Sequence, residues 1–205
     1  MKNGFIYPLI KILVDGLNKL NLVEYFKGCL QVFNRVKTDE SIQSYNNFAI
    51  DIFRIVKWLF LALAIFCGAS NCWVQAVIWY LLLTNIYTYF YYHLWRDEAL
   101  EPGQVGQNNH HRVRKRFVNL FIAVFYSDLC FAYLYEIPYV ANFTWGKSAS
   151  LLHAFWFSVS NSIAANYNVV VPITDLGNSV AMIQLLITFA FITIILSRIN
   201  SQTTS

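Results

Sequence analysis

The sequence predicts an all-α membrane protein with four transmembrane helices and a re-entrant loop between the third and the fourth. Two features of the composition support this prediction, because 57% of the 205 residues are hydrophobic and only 13% are charged. Soluble domains carry about 25% charged residues. A third feature is the gathering of the apolar residues into four stretches. Such a chain places most of its apolar surface against lipid or against other helices.

Each apolar stretch approaches the ~20 residues that a helix needs to cross a hydrocarbon layer of ~30 Å. The stretches are Ile55–Asn71, Trp73–Trp95, Phe117–Val140 and Asn178–Leu196. We expect no cleaved signal peptide, since Pro8, Lys11 and Asp15 interrupt the first apolar run and no small-residue cleavage site follows.

The distribution of basic residues predicts the orientation of the chain. If the chain starts in the cytoplasm, 14 of its 15 Lys and Arg residues lie on that side and only Lys147 lies outside. Loops on the cytoplasmic side of membrane proteins carry an excess of Lys and Arg. The sequence therefore predicts an integral membrane protein with both termini in the cytoplasm.

The segments before and between the spans are more polar. Residues 1–54 are predicted to be an amphipathic cytoplasmic region, with two short helices broken near Gly16 or Asn21 that either lie on the inner membrane surface or pack beneath the spans. Within it, Lys37–Asn47 is predicted to be a loop, with Asp39 or Ser41 capping the next helix. Residues 55–95 form a peripheral helix pair, residues 96–116 a basic cytoplasmic connector, and residues 200–205 a C-terminal tail.

The segment Ser148–Gly177 is apolar enough to enter the membrane, yet Asn161, Asn166, Asn168 and Pro172 interrupt it. Its first part, Ser148–Ile163, is a candidate helix that Ser148 can cap. At ~1.5 Å per residue this helix spans ~24 Å, too little to cross and return. We therefore expect it to stop inside the membrane with the negative end of its dipole there, followed by an extended return. Irregular backbone at that depth is tolerated only inside protein or along a water-filled path.

Four segments around this loop resemble, in order, the pore helix, filter, post-filter turn and inner helix of potassium-channel-type pore domains. They are Phe157-Ser158-Val159, Ala164–Asn168, Val170–Gly177 and Val180–Leu186. The resemblance covers about Phe117–Ile199 and is most specific after the filter, where a turn signature joins the inner helix. It implies a pore domain over residues 117–199 and a homotetrameric cation channel whose permeation path follows the symmetry axis.

The filter departs from the family pattern Thr-Val-Gly-Tyr-Gly-Asp and retains only the tyrosine. The residues here are Ala164, Ala165, Asn166, Tyr167, Asn168 and Val169. In the family the glycines adopt left-handed angles, so that carbonyl oxygens replace the hydration shell of the ion. Because Asn tolerates these angles better than most residues, Asn166 and Asn168 are expected to preserve a filter-like backbone. The missing threonine hydroxyl and carboxylate imply weak or altered potassium selectivity, or conduction only in a rearranged state.

Other residues of the loop and the spans have two interpretations each. Asn161, Asn166 and Asn168 either take part in the filter or bond neighbouring carbonyls in a non-conducting plug, and Tyr167, Trp156 and Phe155 are expected to pack behind the filter. Thr188 and Thr193 either line the pore or satisfy helix carbonyls. Asp128 is a functional candidate because carboxylates are costly inside a membrane. Its alternative is a bond to Asn119, to Ser127 or to a neighbouring subunit.

Gating by voltage is not expected, since the first two spans have no regularly spaced arginines. The basic run Arg112, Arg114, Lys115 and Arg116, repeated in four copies, would form a cytoplasmic ring able to bind an anionic ligand such as a nucleotide. The alternative is that these residues anchor lipid headgroups. A pore without a sensor domain is also similar to the small channel effectors of bacterial anti-phage systems, which a nucleotide messenger opens to depolarise the membrane. That similarity implies an antiviral defence role in a bacterial inner membrane.

The sequence gives no indication of an enzyme or a cofactor, because its histidines do not form the motifs of a membrane di-iron enzyme and no nucleophile and base are paired. The histidines are His93, His110, His111 and His153. No metal is expected beyond the permeant monovalent cation. Cys67 and Cys72 flank a short outer turn and are either free or bridged. Two competing hypotheses are a non-conducting regulatory channel subunit and a membrane enzyme or lipid-binding protein.

Overall fold

The computed structural model describes residues 6–18, 25, 28, 39–91, 109–146 and 148–203. Most of these residues are helical, which confirms the predicted helical class. The helices are α1 Ile6–Asn18, α2 Asp39–Phe66, α3 Cys72–Phe90, α4 Asn109–Glu136, α5 Leu151–Ser162 and α6 Asp175–Thr203. A 3-10 turn, Val140–Asn142, precedes strand β1 Phe143–Trp145, and strand β2 Val170–Pro172 follows α5.

The chain divides into two compact units, Met1–Ala62 and Leu63–Ser205. In the first unit, α1 is amphipathic, with Val14 buried and Leu9 and Ile12 exposed. The same unit contains the start of α2, where Arg54 donates to the Asp51 carboxylate at 3.2 Å. Every feature of the candidate site described below lies in the second unit.

Two helices are long and apolar enough to cross a membrane, judged by length and composition alone. They are the segments Phe117–Glu136 of α4 and Asp175–Ile194 of α6. They correspond to the third and fourth predicted spans and support an association with the membrane. Helix α3 has 19 residues and is not one of the two. The first and second spans therefore stay predictions.

Several helix boundaries differ from those predicted. Residues 39–47 belong to α2 and not to a loop, and residues 109–116 of the expected connector form the first two turns of α4. Both stretches are mostly polar, and polarity alone does not separate a solvated helix from a loop. Helix α6 begins at Asp175 and continues to Thr203, so most of the predicted tail is helical. Residues 92–95 of the second predicted span and 96–108 of the connector, together with Cys29 and Lys147, lie outside the described residues.

Helix α2 ends before the predicted boundary because a left-handed glycine stops it. Gly68 has a φ of 57°, and its amide donates to the Ile65 carbonyl while that of Ala69 donates to Ala64. These two bonds define a Schellman motif, which closes a helix with a left-handed residue just past its end. Asn71 then caps α3, accepting a bond from the Val74 amide at 2.9 Å. Cys67 and Cys72 on this turn are exposed and unbridged.

Helices α3 and α4 run antiparallel, and three contacts join residues 79–89 of α3 to residues 119–131 of α4. Near the start of α3, Trp79 meets Phe131 edge to face at 5.8 Å. Further along, Asn85 donates to the Ala123 carbonyl at 3.0 Å, and Tyr89 donates to the Asn119 carbonyl at 2.6 Å. These long-range bonds use polar side chains inside the helix pair, where unpaired polar groups would be costly.

Candidate functional site in the loop between α4 and α6

A two-stranded antiparallel ribbon closes the loop between α4 and α6 at its base. Strand β1 pairs with β2 so that Phe143 lies opposite Pro172 and Trp145 opposite Val170. The Gly146 amide extends the ribbon by donating to the Val169 carbonyl at 2.7 Å. Residues 146–169 therefore form a loop whose two ends lie next to each other at the ribbon.

Asn142 joins this ribbon to the start of α6. Its carbonyl accepts from the Ile173 amide at 2.9 Å, and its side-chain oxygen accepts from Thr174 Oγ1 at 2.7 Å. Thr174 also caps α6, since its Oγ1 accepts from the Gly177 amide at 3.0 Å. A Cβ atom at Gly177 would lie 2.5 Å from the Asn142 carbonyl oxygen. Only glycine allows the first turn of α6 to approach the ribbon this closely.

Helix α5 is shorter than the predicted helix Ser148–Ile163. It covers 12 residues, and its N-cap is Ser150 and not Ser148. Ser150 has extended backbone angles and accepts a bond from the His153 amide at 3.4 Å. The first apolar residue, Leu151, directly follows Ser150, so the nearer of the two serines provides the cap. At ~1.5 Å per residue α5 is ~18 Å long.

The end of α5 is a second Schellman motif, with alanine in the position that glycine usually takes. Ala164 has a φ of 54° and is the only left-handed residue other than glycine in the described parts of the chain. Its amide donates to the Asn161 carbonyl at 3.0 Å, and the Ala165 amide donates to the Ser160 carbonyl at 2.7 Å. The prediction of left-handed angles at Asn166 and Asn168 is therefore wrong. The backbone reverses at the helix end, which places the left-handed residue two positions earlier.

The segment Ala164–Asn168, hereafter the candidate filter, lies largely at the surface of the single chain. Ala164, Ala165, Asn166 and Asn168 are exposed, whereas Tyr167 is half-buried. The Tyr167 hydroxyl lies 2.9 Å from His153 Nδ1, so the side chain is directed back toward the first turn of α5. This contact holds the middle of the segment against the helix.

Phe155 and Trp156 lie on α5, and their packing behind the filter stays a prediction. Phe155 meets Phe125 of α4 edge to face at 5.7 Å. Trp156 is 49% exposed and lies beside Phe155 with ring centroids 5.8 Å apart. Tyr167, in contrast, belongs to the candidate filter and contacts α5 through its hydroxyl group.

A polar cluster is buried where α4, α5 and α6 meet. Its centre is Gln184, which is fully buried together with Ser158. Gln184 Nε2 lies 2.6 Å from Ser158 Oγ and 2.9 Å from Ser162 Oγ. It also lies 2.9 Å from the Ser158 carbonyl and 3.2 Å from Asp128 Oδ1. An amide has two hydrogens, so these four acceptors share two donors.

Asp128 joins the cluster from α4. It is 7% exposed, and its Oδ1 accepts a bond from Ser162 Oγ at 2.5 Å. Its backbone carbonyl accepts from Ser158 Oγ at 2.8 Å. The expected partners Asn119 and Ser127 are thus wrong, because the groups that bond the carboxylate come from α5 and α6. A pattern confined to one helix does not reveal such partners.

Three further side chains, Tyr135, Asn161 and Thr188, surround the centre of the cluster. Gln184 Oε1 accepts from the Tyr135 hydroxyl at 2.5 Å and from Asn161 Nδ2 at 3.0 Å. Asn161 also donates to the Ala181 carbonyl at 2.9 Å, so it braces α6. Hereafter the buried polar cluster means these residues: Asp128, Tyr135, Ser158, Asn161, Ser162, Gln184 and Thr188.

Of the two predicted pore-lining threonines, Thr188 belongs to the buried polar cluster. It is 9% exposed, and its Oγ1 donates to Ser162 Oγ at 3.2 Å. Thr193 is exposed and donates to the Phe189 carbonyl one turn earlier at 2.9 Å. Only Thr193 therefore stays a candidate for a pore-lining position.

The sequence interpretation did not single out Ser158, Ser162 or Gln184 as site residues. Gln184 carries a usable signal, because it is the one amide in the aliphatic run Val180–Ile194. A polar side chain in such a run needs a partner on another helix. The two serines lie four residues apart and so share a face of α5, but serine is too common in helices for that spacing to stand out.

The cluster marks how deep α5 reaches between the two apolar helices. Asp128 lies ~12 Å from the end of α4 at Glu136, and Gln184 lies ~14 Å from the start of α6 at Asp175. Both of these helix ends lie next to the ribbon, so the two distances are measured from the same end of the helix pair. Because Ser162, the last residue of α5, bonds both side chains, α5 ends about halfway along a ~30 Å span.

The predicted ligand site occupies the opposite end of α4. Arg112, Arg114, Lys115 and Arg116 fall in its first two turns, directly before the apolar segment that starts at Phe117. Their side chains lie outside the described residues. Within the described residues, no group of three or more His, Cys, Asp or Glu side chains is placed to hold a metal ion.

Comparisons with protein-family models, with curated proteins and with solved structures find no match to this chain. The candidate site is therefore interpreted from its own geometry.

Proposed function

We propose that this chain is the subunit of a tetrameric cation channel with weak or altered potassium selectivity. The observation that carries the proposal is the position of the candidate filter. Helix α5 ends about halfway along the two apolar helices, and the exposed segment Ala164–Asn168 follows directly. A helix that stops at this depth and returns as irregular backbone is the expected form of a re-entrant loop.

The exposure of this segment favours assembly around an axis. In hydrocarbon, peptide groups without partners cost several kcal/mol each, so irregular backbone at this depth must face protein or water. Several copies that turn this segment toward a shared axis would enclose it and leave a water-filled path. The carbonyl end of α5, with its partial negative charge, would then point toward that path and favour cations.

Weak selectivity follows from the chemistry of the candidate filter. Ala164 has no hydroxyl to add a ring of oxygens, and Val169 has no carboxylate. One left-handed residue at the end of α5, in place of alternating left-handed glycines, leaves fewer carbonyl oxygens able to face one ion. We expect a path that coordinates cations loosely or conducts after a rearrangement.

The rest of the proposed architecture comes from the sequence pattern. Two further spans, around α2 and α3, would brace the pore, and both termini would lie in the cytoplasm. The basic turns at the start of α4 would then lie at the inner membrane surface. In this arrangement an anionic ligand, such as a nucleotide, would open the channel, and a role in depolarising a bacterial membrane during antiviral defence would follow.

A second candidate function is a regulatory subunit that does not conduct. The backbone at Asn166 and Asn168 favours this candidate, because neither residue has the left-handed angles of potassium-channel-type filters. Such a subunit would retain the re-entrant loop for assembly with a different, conducting chain.

Reconstitution separates the two candidates. Purified protein in K⁺-loaded liposomes should release K⁺ when ATP or pyrophosphate is added on the side of the basic turns. A bilayer that stays impermeable alone but becomes conductive with a partner chain would support the regulatory subunit.

A cysteine at the candidate filter tests the path itself. In a background without native cysteines, Asn166→Cys should make flux sensitive to a charged thiol reagent, because that position would line the path. Phe121→Cys is the matched control, since Phe121 is 66% exposed on α4 and away from the loop. Equal sensitivity of both variants, or of neither, would remove the filter assignment.

A further inference from the structure

We propose that Asp128 is a proton-binding site buried behind the candidate filter, and that its ionisation regulates the cation conductance. The first part concerns the chain alone. The second part rests on the proposed channel function.

The side chains that donate hydrogen bonds to the Asp128 carboxyl group are neutral. Its Oδ1 accepts from Ser162 Oγ at 2.5 Å and from Gln184 Nε2 at 3.2 Å. A buried carboxylate is stabilised by a cation or by several hydrogen bonds, and here two neutral donors are the groups that contact it.

Among the side chains that the structure describes, the helices packed around Asp128 place no positive charge near it. The titratable residue of α5 is His153, which lies at the other end of that helix and contacts Tyr167. Helix α6 carries Asp175 at its start, ~14 Å before Gln184, and Arg198 near its other end, ~21 Å after Gln184. Helix α4 contributes Tyr126, Cys130 and Tyr135 around this depth, and α3 has tyrosines and Cys72 but no Lys, Arg, His, Asp or Glu.

A proton fits this site better than a metal ion does. Proton binding converts the carboxylate to a neutral carboxyl group, which removes the uncompensated charge while its carbonyl oxygen still accepts from Ser162 and Gln184. A metal ion would instead need several oxygens around an open position. The Gln184 amide nitrogen already occupies the centre of the four nearest oxygens.

Ser162 links the proton site to the candidate filter. It is the last residue of α5, and the left-handed Ala164 follows two positions later. An ionised Asp128 in each subunit would place negative charge beside the cation path, close to the carbonyl end of α5. Protons and permeant cations would then oppose each other, because either one alone compensates that charge.

The sign of the effect follows from this competition. At higher pH Asp128 is ionised and cations enter the path more readily, so flux is high. As the pH falls and Asp128 takes up its proton, the affinity of the path for cations falls by about tenfold for each unit by which the midpoint differs between the cation-bound and the cation-free state, and flux decreases with it.

Infrared spectroscopy of the purified full-length protein tests the proton site without any flux. The wild type should show a protonated-carboxyl band that grows as the pH is lowered, and Asp128→Asn should lack that band. Asp51→Asn is the control, since Asp51 is 66% exposed at its side chain and should leave the band intact. A band that persists in Asp128→Asn, or that does not change with pH, would overturn the proposal.

Flux in liposomes tests the regulatory part. Wild-type flux should fall on acidification, while Asp128→Asn should give low flux at every pH. Ser162→Ala should keep the infrared titration and shift its midpoint, which supplies a second readout if Asp128→Asn is poorly folded. A wild-type flux that does not depend on pH would overturn the regulation. A titrating band in a protein that conducts nothing would contradict the channel and leave the proton site intact.

Discussion

Ala164 and Gly68 occupy the same position in two Schellman motifs, one at the end of α5 and one at the end of α2. Their φ angles are 54° and 57°. Left-handed angles cost an L-residue roughly 1–2 kcal/mol but cost glycine almost nothing. The turn after α2 is thus unstrained, whereas the turn that starts the candidate filter is held in a strained conformation by its surroundings.

Replacing Ala164 by glycine should relieve this strain. We expect Ala164→Gly to raise the free energy of unfolding by about 0.5–1 kcal/mol and Ala164→Val to lower it by about 1–2 kcal/mol. Gly68→Ala is the matched control and should be destabilising by about 1 kcal/mol. Denaturant unfolding in detergent measures all three changes. A stabilising Ala164→Val would contradict the left-handed assignment.

Gln184 is the residue on which the buried polar cluster depends most. Gln184→Leu removes the donors and the acceptor that Asp128, Ser158 and Tyr135 use, leaving buried polar groups without partners. Each such group costs about 1–3 kcal/mol, so we expect a loss on the order of 3 kcal/mol in unfolding experiments. Thr193→Val is the control, because Thr193 is exposed. A near-neutral Gln184→Leu would mean that the network adds little to stability.

At the scale of elements, the ribbon, α5 and the start of α6 form the unit that positions the candidate filter. The sequence was sufficient to predict a short helix and an extended return here. The apolar run is interrupted by polar residues, and it is too short for a helix to cross the membrane and come back. It did not determine which serine caps α5 or which residue is left-handed, since both depend on how the chain turns into the ribbon. The partners of Asp128 could not be predicted either, because they come from two other helices.

Gly177 tests whether the first turn of α6 must touch the ribbon. In Gly177→Ala the new Cβ would lie 2.5 Å from the Asn142 carbonyl oxygen, and one of the two elements must move. We expect a loss of about 1–3 kcal/mol, measured by thermal unfolding. Gly16→Ala in α1 is the control, because its Cβ would meet nothing within 4 Å. A gain in helix propensity should make it neutral or stabilising. Equal effects of the two substitutions would argue against this contact.

In the molecule as a whole, α4 has its basic residues in its first two turns and its apolar residues from Phe117 onward. The basic turns precede Phe117, while the ribbon follows the other end, so a membrane-spanning α4 would hold the ligand on one side of the bilayer and the ribbon on the other, with the candidate filter between them. The sequence predicted this separation because it depends on composition along one helix. The number of copies around the axis is a property of surfaces between chains, which no pattern within one chain specifies.

The basic turns provide a prediction about gating. Neutralising Arg112, Arg114 and Arg116 together with glutamine should reduce ATP-triggered flux in liposomes by at least about tenfold, because phosphate binding depends on these charges. Arg54→Gln is the control, since Arg54 pairs with Asp51 on α2. If flux per inserted channel is unchanged and only membrane insertion falls, these residues anchor headgroups and do not bind the ligand.

Imaging of the purified particle in a lipid nanodisc tests the central claim most directly. The account predicts four copies around one axis, with the segments Ala164–Asn168 facing each other across a water-filled path at mid-membrane depth. Particles without rotational symmetry, or copies in which these five residues face lipid away from any common axis, would contradict it.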